Sequence, residues 1–238
     1  MSKPLVGLIV PPRAGEVPPD AEAVYPHIGF IAEGLGLEAL SVAGYDSVIS
    51  SVEVAAKRLR DAGADAVSLM GTSLSLYRGK SFNDELVATM RTATGLPVTT
   101  MSTAIVDALR DLSISRPAVA SAYTTEVHTR LLTFLQEEGF DTDGEAHLSV
   151  KTVNEAHDVE EERVMMLGAE AVARSSSPDG ALISCGGLRT ARAVNYMESA
   201  YGMPVVTSPL AGLWASVRLV EPDVIGNHPS HLFRRERA

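Results

Sequence analysis

The only cysteine of the chain, Cys185, ends the apolar run Ala181-Leu182-Ile183-Ser184 and precedes Gly186-Gly187-Leu188. In an α/β protein this pattern reads as a buried parallel strand stopping at its carboxyl end, with glycines that let the backbone turn tightly. A thiol there would meet backbone N–H groups at the start of the next helix, whose dipole favours thiolate and proton exchange near neutral pH. The same residues also describe an inert core cysteine, which packs as a small hydrophobe. A second polar strand end, Met70-Gly71-Thr72-Ser73-Leu74-Ser75, offers hydroxyls and backbone donors. Donors converging on two carboxylate oxygens would stabilise an enediolate, the anion formed when charge enters the α-carbon. Thr72 and Ser73 could equally be helix caps. Tyr123 closes a third apolar run, where its hydroxyl either reaches the same cleft or stays as a wetted tip at the core boundary.

Other chemistries are poorly served. His228-Pro229-Ser230-His231 brings two imidazoles together but suggests no third ligand, so a solvated tail is expected and no metal. No histidine is spaced to serve as base for Cys185, which weakens a covalent cysteine hydrolase. The Gly186-Gly187 pair lacks both the dinucleotide fingerprint and the P-loop lysine, so no cofactor is expected. Leu35, Leu37, Leu40 and Val153 suit a core, or a cleft if their loops fold over it.

These residues must be positioned by a chain of 238 residues, 45% apolar and 21% charged, long enough to bury a substantial core. The formal charge of −10 argues against nucleic acid or an anionic membrane as partner. An anionic substrate would need local donors, because the global field repels it. One cysteine fits a reducing compartment, and the first apolar run, residues 5–10, is too short to span a bilayer. A cytoplasmic protein is expected.

Strands are predicted at 5–10, 64–70, 97–100, 117–123 and 181–185. Helices are predicted at 25–37, 48–62, 83–93, 102–112 and 126–138, with a proline-rich loop over 11–19. Alternation of this kind implies parallel strands with right-handed crossovers. The second half aligns with the first. Leu69-Met70-Gly71-Thr72-Ser73 lies opposite Ile183-Ser184-Cys185-Gly186-Gly187, and Pro97-Val98-Thr99-Thr100 opposite Pro204-Val205-Val206-Thr207. The fold class is therefore α/β: two similar Rossmann-like units with parallel sheets, related by pseudo-two-fold duplication. The first unit is expected over 1–114 plus 220–238, the tail packing back on it, and the second over 115–219. Strand ends of both units would face one cleft, where such sheets bind ligands. Gly71 and Cys185 then stand on opposite walls, one without and one with an acid–base group.

At this level of detail the chain resembles the arylmalonate decarboxylases of the aspartate/glutamate racemase superfamily. The resemblance is carried by residues 68–79, Thr94-Gly95-Leu96-Pro97, Thr99-Thr100-Met101-Ser102-Thr103-Ala104, Val10-Pro11-Pro12, Phe30-Ile31-Ala32, Gly34-Leu35-Gly36-Leu37, Gly44-Tyr45-Asp46 and 182–188. It extends to about residue 219 and fades over 141–178. Racemases and maleate isomerases of that superfamily resemble one another in placing a cysteine on each wall, whereas Gly71 matches the decarboxylases. The resemblance implies cofactor-free, enantioselective decarboxylation of disubstituted aryl- or alkenylmalonates. One carboxylate would be held by Thr72, Ser73, Tyr123 and backbone N–H groups near Ser73, Cys185 and Gly186. The other would face an apolar pocket of Leu37, Leu40, Tyr45 and Val153, with Pro11, Gly71 and Gly187 nearby. Ala156 stands where the resemblance implies a methionine, which leaves a roomier pocket. Cys185 would protonate the enediolate from one side. The implied partner is a small malonate-type dicarboxylate, with the chain a monomer or small homo-oligomer. Two alternatives remain: a racemase or maleate-type cis–trans isomerase, and a non-catalytic carboxylate-binding protein.

Overall fold

The computed structural model describes residues 3–234. Residues 1–2 and 235–238, assigned to the first unit from sequence, lie outside the described residues. The first half runs β1 (Leu5–Val10), α1 (Asp20–Val24), β2 (Gly29–Gly34), α2 (Val42–Val48), α3 (Val52–Asp61), β3 (Ala66–Leu69), α4 (Thr72–Leu76), α5 (Lys80–Thr94), β4 (Val98–Thr100) and α6 (Met101–Asp111). The second runs β5 (Pro117–Ser121), α7 (Thr125–Glu137), β6 (Glu145–His147), α8 (Val153–His157), α9 (Glu161–Ala173), β7 (Gly180–Ser184), α10 (Ala191–Tyr201), β8 (Val205–Thr207) and α11 (Ser208–Arg218).

The strands form two four-stranded parallel sheets of the same order, β2-β1-β3-β4 and β6-β5-β7-β8. Each inner strand is buried along almost its whole length, as β-branched and small apolar runs covered on both faces must be. Duplicated α/β units are thus what the alternating pattern builds. Helices α6 and α11, which follow the last strand of each sheet, pack against each other and join the units. In each sheet the strand order reverses between the two central strands, which opens a crevice at their carboxyl ends. Pro11 follows β1, Gly71 follows β3, Tyr123 follows β5 beyond Ala122, and Cys185 follows β7.

The predicted helix over 25–37 is corrected. The chain leaves α1 at Val24 and forms β2 parallel to β1, pairing Leu5 with Gly29 and Val10 with Gly34. The apolar spacing looked helical, but three glycines in thirteen residues cost a helix about 1 kcal/mol each. Gly34 is held as glycine by contact, since a Cβ would collide with the Pro12 and Arg13 carbonyl oxygens crossing above it. The predicted helix over 48–62 begins earlier and is broken by a 3-10 turn, Ile49–Ser51.

The tail is also corrected. Its two histidines are packed rather than solvated: the His228 ring lies 5.5 Å from that of Phe233, and His231 Nδ1 is 2.9 Å from Glu198. The tail touches both halves, since Asn227 N–H donates to Val24 O at 2.7 Å while His231 reaches Glu198 on α10. Among the described residues no helix is long and apolar enough to cross a membrane.

Candidate functional site

Both crevices open into one cavity of about 410 Å³. Of the residues singled out from sequence, Pro11, Leu37, Leu40, Gly71, Thr72, Ser73, Tyr123, Val153, Ala156, Cys185, Gly186 and Gly187 all line it. Tyr45 does not: it stands fully buried behind Ser73, with its ring 5.1 Å from that of Tyr77.

The first wall is made where β3 gives way to α4. Thr72 and Ser73 form the first turn of α4, and both are almost fully buried. Neither serves as a cap: the position before them is Gly71, and Thr72 Oγ1 is buried without a hydrogen-bond partner, the Tyr123 hydroxyl alongside. An orphaned donor of this kind costs stability unless something binds it. The turn is locked from below, where Ser75 Oγ lies 2.6 Å from Ser102 Oγ and Ser102 Oγ donates to Thr72 O at 3.0 Å. Gly71 has φ −134° and ψ 95°, extended geometry open to any residue. Its lack of a side chain is therefore not a backbone requirement; it leaves that wall bare.

The second wall carries Cys185 in the turn after β7. The turn closes with Leu188 N–H donating to Cys185 O at 3.3 Å, and α10 starts only at Ala191. The expected helix N-terminus is thus too far along the chain to favour thiolate, and the thiolate expectation is corrected. Burial dominates and pushes the thiol up from 9.0 to about 11, against the N–H groups of Gly187 and Leu188 and the Tyr123 hydroxyl, which pull it down. At neutral pH the side chain is a protonated acid with three donors placed to receive its conjugate base. Tyr123 is pushed well above its ordinary value by burial, so its phenol remains a donor. The Cys185 N–H, expected among the carboxylate donors, is already engaged: it donates to Ser208 Oγ at 3.2 Å.

Gly186 and Gly187 stand at close approaches between elements. A Cβ on Gly186 would lie 3.2 Å from Met101 Sδ and 3.3 Å from the Met70 carbonyl oxygen, on the facing unit. One on Gly187 would lie 3.1 Å from Ala156 Cβ. The apolar side of the cavity is closed by a strap between the units. Ala39 and Thr152 form an antiparallel bridge, Leu40 N–H donates to Lys151 O at 2.8 Å and Val153 N–H to Glu38 O at 3.0 Å. This strap brings Leu37 and Leu40 of one half to Val153 and Ala156 of the other.

Sequence reasoning quoted Met70, Leu74, Met101 and Leu188 within its motifs but gave them no role, and passed over Asp20, His157 and Arg189; Glu16 was marked only by the loop composition of 11–19. Among the described residues no group of three or more histidine, cysteine or acidic side chains could hold a metal ion.

The cavity thus offers hydroxyl donors on one wall, apolar surface on another side and a single thiol facing bare Gly71. The chain was also compared with known proteins. The family described as arylmalonate decarboxylase matches residues 6–233. An arylmalonate decarboxylase of Bordetella bronchiseptica is 48% identical over 218 residues, 92% of this chain and 91% of that one. The crystal structure of an arylmalonate decarboxylase mutant in its liganded form superposes with a TM-score of 0.96 at 44% identity, covering 98% of this chain and 100% of that one. A maleate isomerase from Pseudomonas putida S16, solved with maleate, reaches a TM-score of 0.89 over 97% of each chain at 15% identity, a likeness of fold alone.

Proposed function

The chain belongs to the arylmalonate decarboxylase family and is a carboxy-lyase, and from that premise we propose that it decarboxylates disubstituted aryl- or alkenylmalonates to chiral monocarboxylic acids without a cofactor. The observation that carries this reading is the pairing of Cys185 with the orphaned Thr72 hydroxyl in one cavity, each from a different sheet.

One carboxylate of the substrate docks on the Thr72 and Ser73 hydroxyls and the Tyr123 phenol, donors already buried and on the cavity lining. The other lies against Leu37, Leu40, Val153 and Ala156, where an anion loses hydration and gains no partner in return. Its carbon–carbon bond to the α-carbon breaks, and it departs as neutral CO2. The released electron pair enters the α-carbon and spreads into the held carboxylate, forming an enediolate that an aryl or alkenyl substituent delocalises further. Cys185 then transfers its thiol proton to the α-carbon. The resulting thiolate is received by the Gly187 and Leu188 N–H groups, joined by the Tyr123 hydroxyl as product leaves and frees it, and regains a proton from water. Protonation comes from one face because the opposite wall is Gly71. The isomerase alternative needs an acid–base group at that bare position.

The test is CO2 release from phenylmalonate by the purified protein, with chiral analysis of an α-methyl analogue. Turnover giving one enantiomer, and its loss in Cys185→Ala, is the expected result. No turnover, or turnover indifferent to Cys185→Ala, overturns the reading.

A further inference from the structure

The two units begin their last helices at equivalent residues. Helix α6 starts at Met101 directly after Thr100, and α11 starts at Ser208 directly after Thr207. The first position of a helix accepts almost any residue, so its identity can answer to something else. On the bare wall Met101 fills space, with its sulfur and methyl lying where a side chain on Gly186 would fall. On the thiol wall the equivalent residue is a serine with no exposed surface, and its hydroxyl bonds to the end of β7 and the turn after it. It accepts the Cys185 N–H at 3.2 Å and donates to Ser184 Oγ at 3.4 Å. The Ser184 hydroxyl in turn faces the Tyr123 phenol.

Cys185 needs such an anchor. Its φ is 156°, a region that residues bearing a side chain rarely occupy, and it persists only where the surroundings impose it. A backbone hydrogen bond from the strained residue itself is the direct way to impose it. We propose that Ser208 is a positioning residue for proton delivery: one buried hydroxyl fixes the backbone that aims the Cys185 thiol and, through Ser184, the phenol that receives the thiolate. Ser208 does not touch the reacting atoms. This role rests on the decarboxylase reading for its kinetic expression but not for its effect on the thiol.

The variants Ser208→Ala, Ser208→Thr and Ser184→Ala, with the Ser208→Ala/Ser184→Ala pair, test it. Two readouts are needed: steady-state decarboxylation of phenylmalonate, and the rate of iodoacetamide alkylation against pH, followed by mass spectrometry of the peptide that holds Cys185, the one cysteine of the chain. Ser208→Ala is expected to lower kcat by roughly 10–100-fold, the cost of misplacing a reacting group by about 1 Å, with KM within about twofold. Its alkylation profile should shift to higher pH, Ser208→Thr should recover most of both losses, and the double variant should lose little more than Ser208→Ala. If Ser208→Ala does not fold, the alkylation shift is read from Ser184→Ala. An unshifted alkylation profile overturns the proposal, whether kcat is retained or falls together with thermal stability. A wild-type protein inert toward phenylmalonate overturns the function instead, and leaves alkylation to decide the role of Ser208.

Discussion

At the scale of single residues the site is defined by what two strand ends carry and lack. In the proposed mechanism Cys185 is the acid and burial keeps its proton on, which makes alkaline pH the informative direction. With the thiol of the free protein raised from 9.0 to about 11, kcat/KM should be flat from neutral pH to about pH 9 and fall through a midpoint near 11, read from initial rates of CO2 release. The same raised value means that the folded state holds this proton more tightly than the unfolded chain. Its contribution to stability is complete below 9.0 and is lost as pH climbs toward 11. Cys185→Ala should lower kcat by roughly 10²–10⁴-fold, the range a positioned proton donor supplies. Gly71→Cys tests the facing wall. Its φ of −134° admits a side chain, whose Cβ would meet Leu74 Cβ at 3.2 Å and Pro11 Cγ at 3.5 Å, contacts that a small shift relieves. The variant should exchange the α-proton on both faces, so that an optically pure α-methyl arylacetate loses its purity on incubation. Retained purity would show that the two walls do not address the same carbon. The types and spacing of these residues were readable in sequence, because a thiol and a glycine at matched strand ends stand out without coordinates. The protonation state was not readable, since it depends on how deeply the turn is buried and on where α10 starts.

At the scale of elements, the strap between 35–41 and 150–153 decides how tightly the apolar side closes. Helix α8 is set by a reciprocal cap: the Thr152 hydroxyl accepts the Glu155 N–H at 3.2 Å, and the Glu155 carboxylate accepts the Lys151 N–H at 2.8 Å. The helix is five residues long, too short to hold itself, so the cap and the bridge to Ala39 carry its position. Thr152→Ala should cost about 1 kcal/mol, seen as a fall in Tm of about 2–4 °C. Because Val153 and Ala156 ride on this helix, KM for phenylmalonate should rise while kcat/KM for a smaller alkenylmalonate changes less. An unchanged KM would mean that the apolar side does not contact the substrate. The strap was invisible in sequence: its bonds are between backbones more than a hundred residues apart, and backbone pairing leaves no residue signature. β2 was misread for a related reason. Its apolar spacing carried a helical period, and what selects the strand is a vacant edge on β1 together with the close crossing of Pro12 and Arg13 over Gly34.

At the scale of the whole molecule, the duplicated architecture was legible because Pro97-Val98-Thr99-Thr100 recurs as Pro204-Val205-Val206-Thr207 and the other strand ends fall at matching intervals, and both sheets have the same order. The charge carries a separate consequence. The protein bears a formal −10, and the proposed substrate is a dianion at neutral pH, so long-range interaction opposes the encounter. Around the cavity, Arg189 is the one guanidinium or ammonium among the described lining residues, offset by Glu16 and Asp20 on the same lining. Arg189 is itself loosely held, 3.7 Å from Glu160 with its side chain 57% exposed, so the mouth offers little net attraction. Repulsion acts over the Debye length, about 30 Å at 0.01 M salt and about 8 Å at 0.15 M. Raising sodium chloride across that range should therefore increase kcat/KM for phenylmalonate by a few-fold and leave kcat nearly unchanged, since the bound carboxylates are screened from bulk ions by burial. The half-ester of the same malonate, a monoanion, should bind as a competitive inhibitor whose Ki depends less steeply on salt. A kcat/KM that falls with salt would instead place a net attractive charge at the mouth. Arg189→Gln would then be the variant to remove it, and the slope against ionic strength would flatten or reverse.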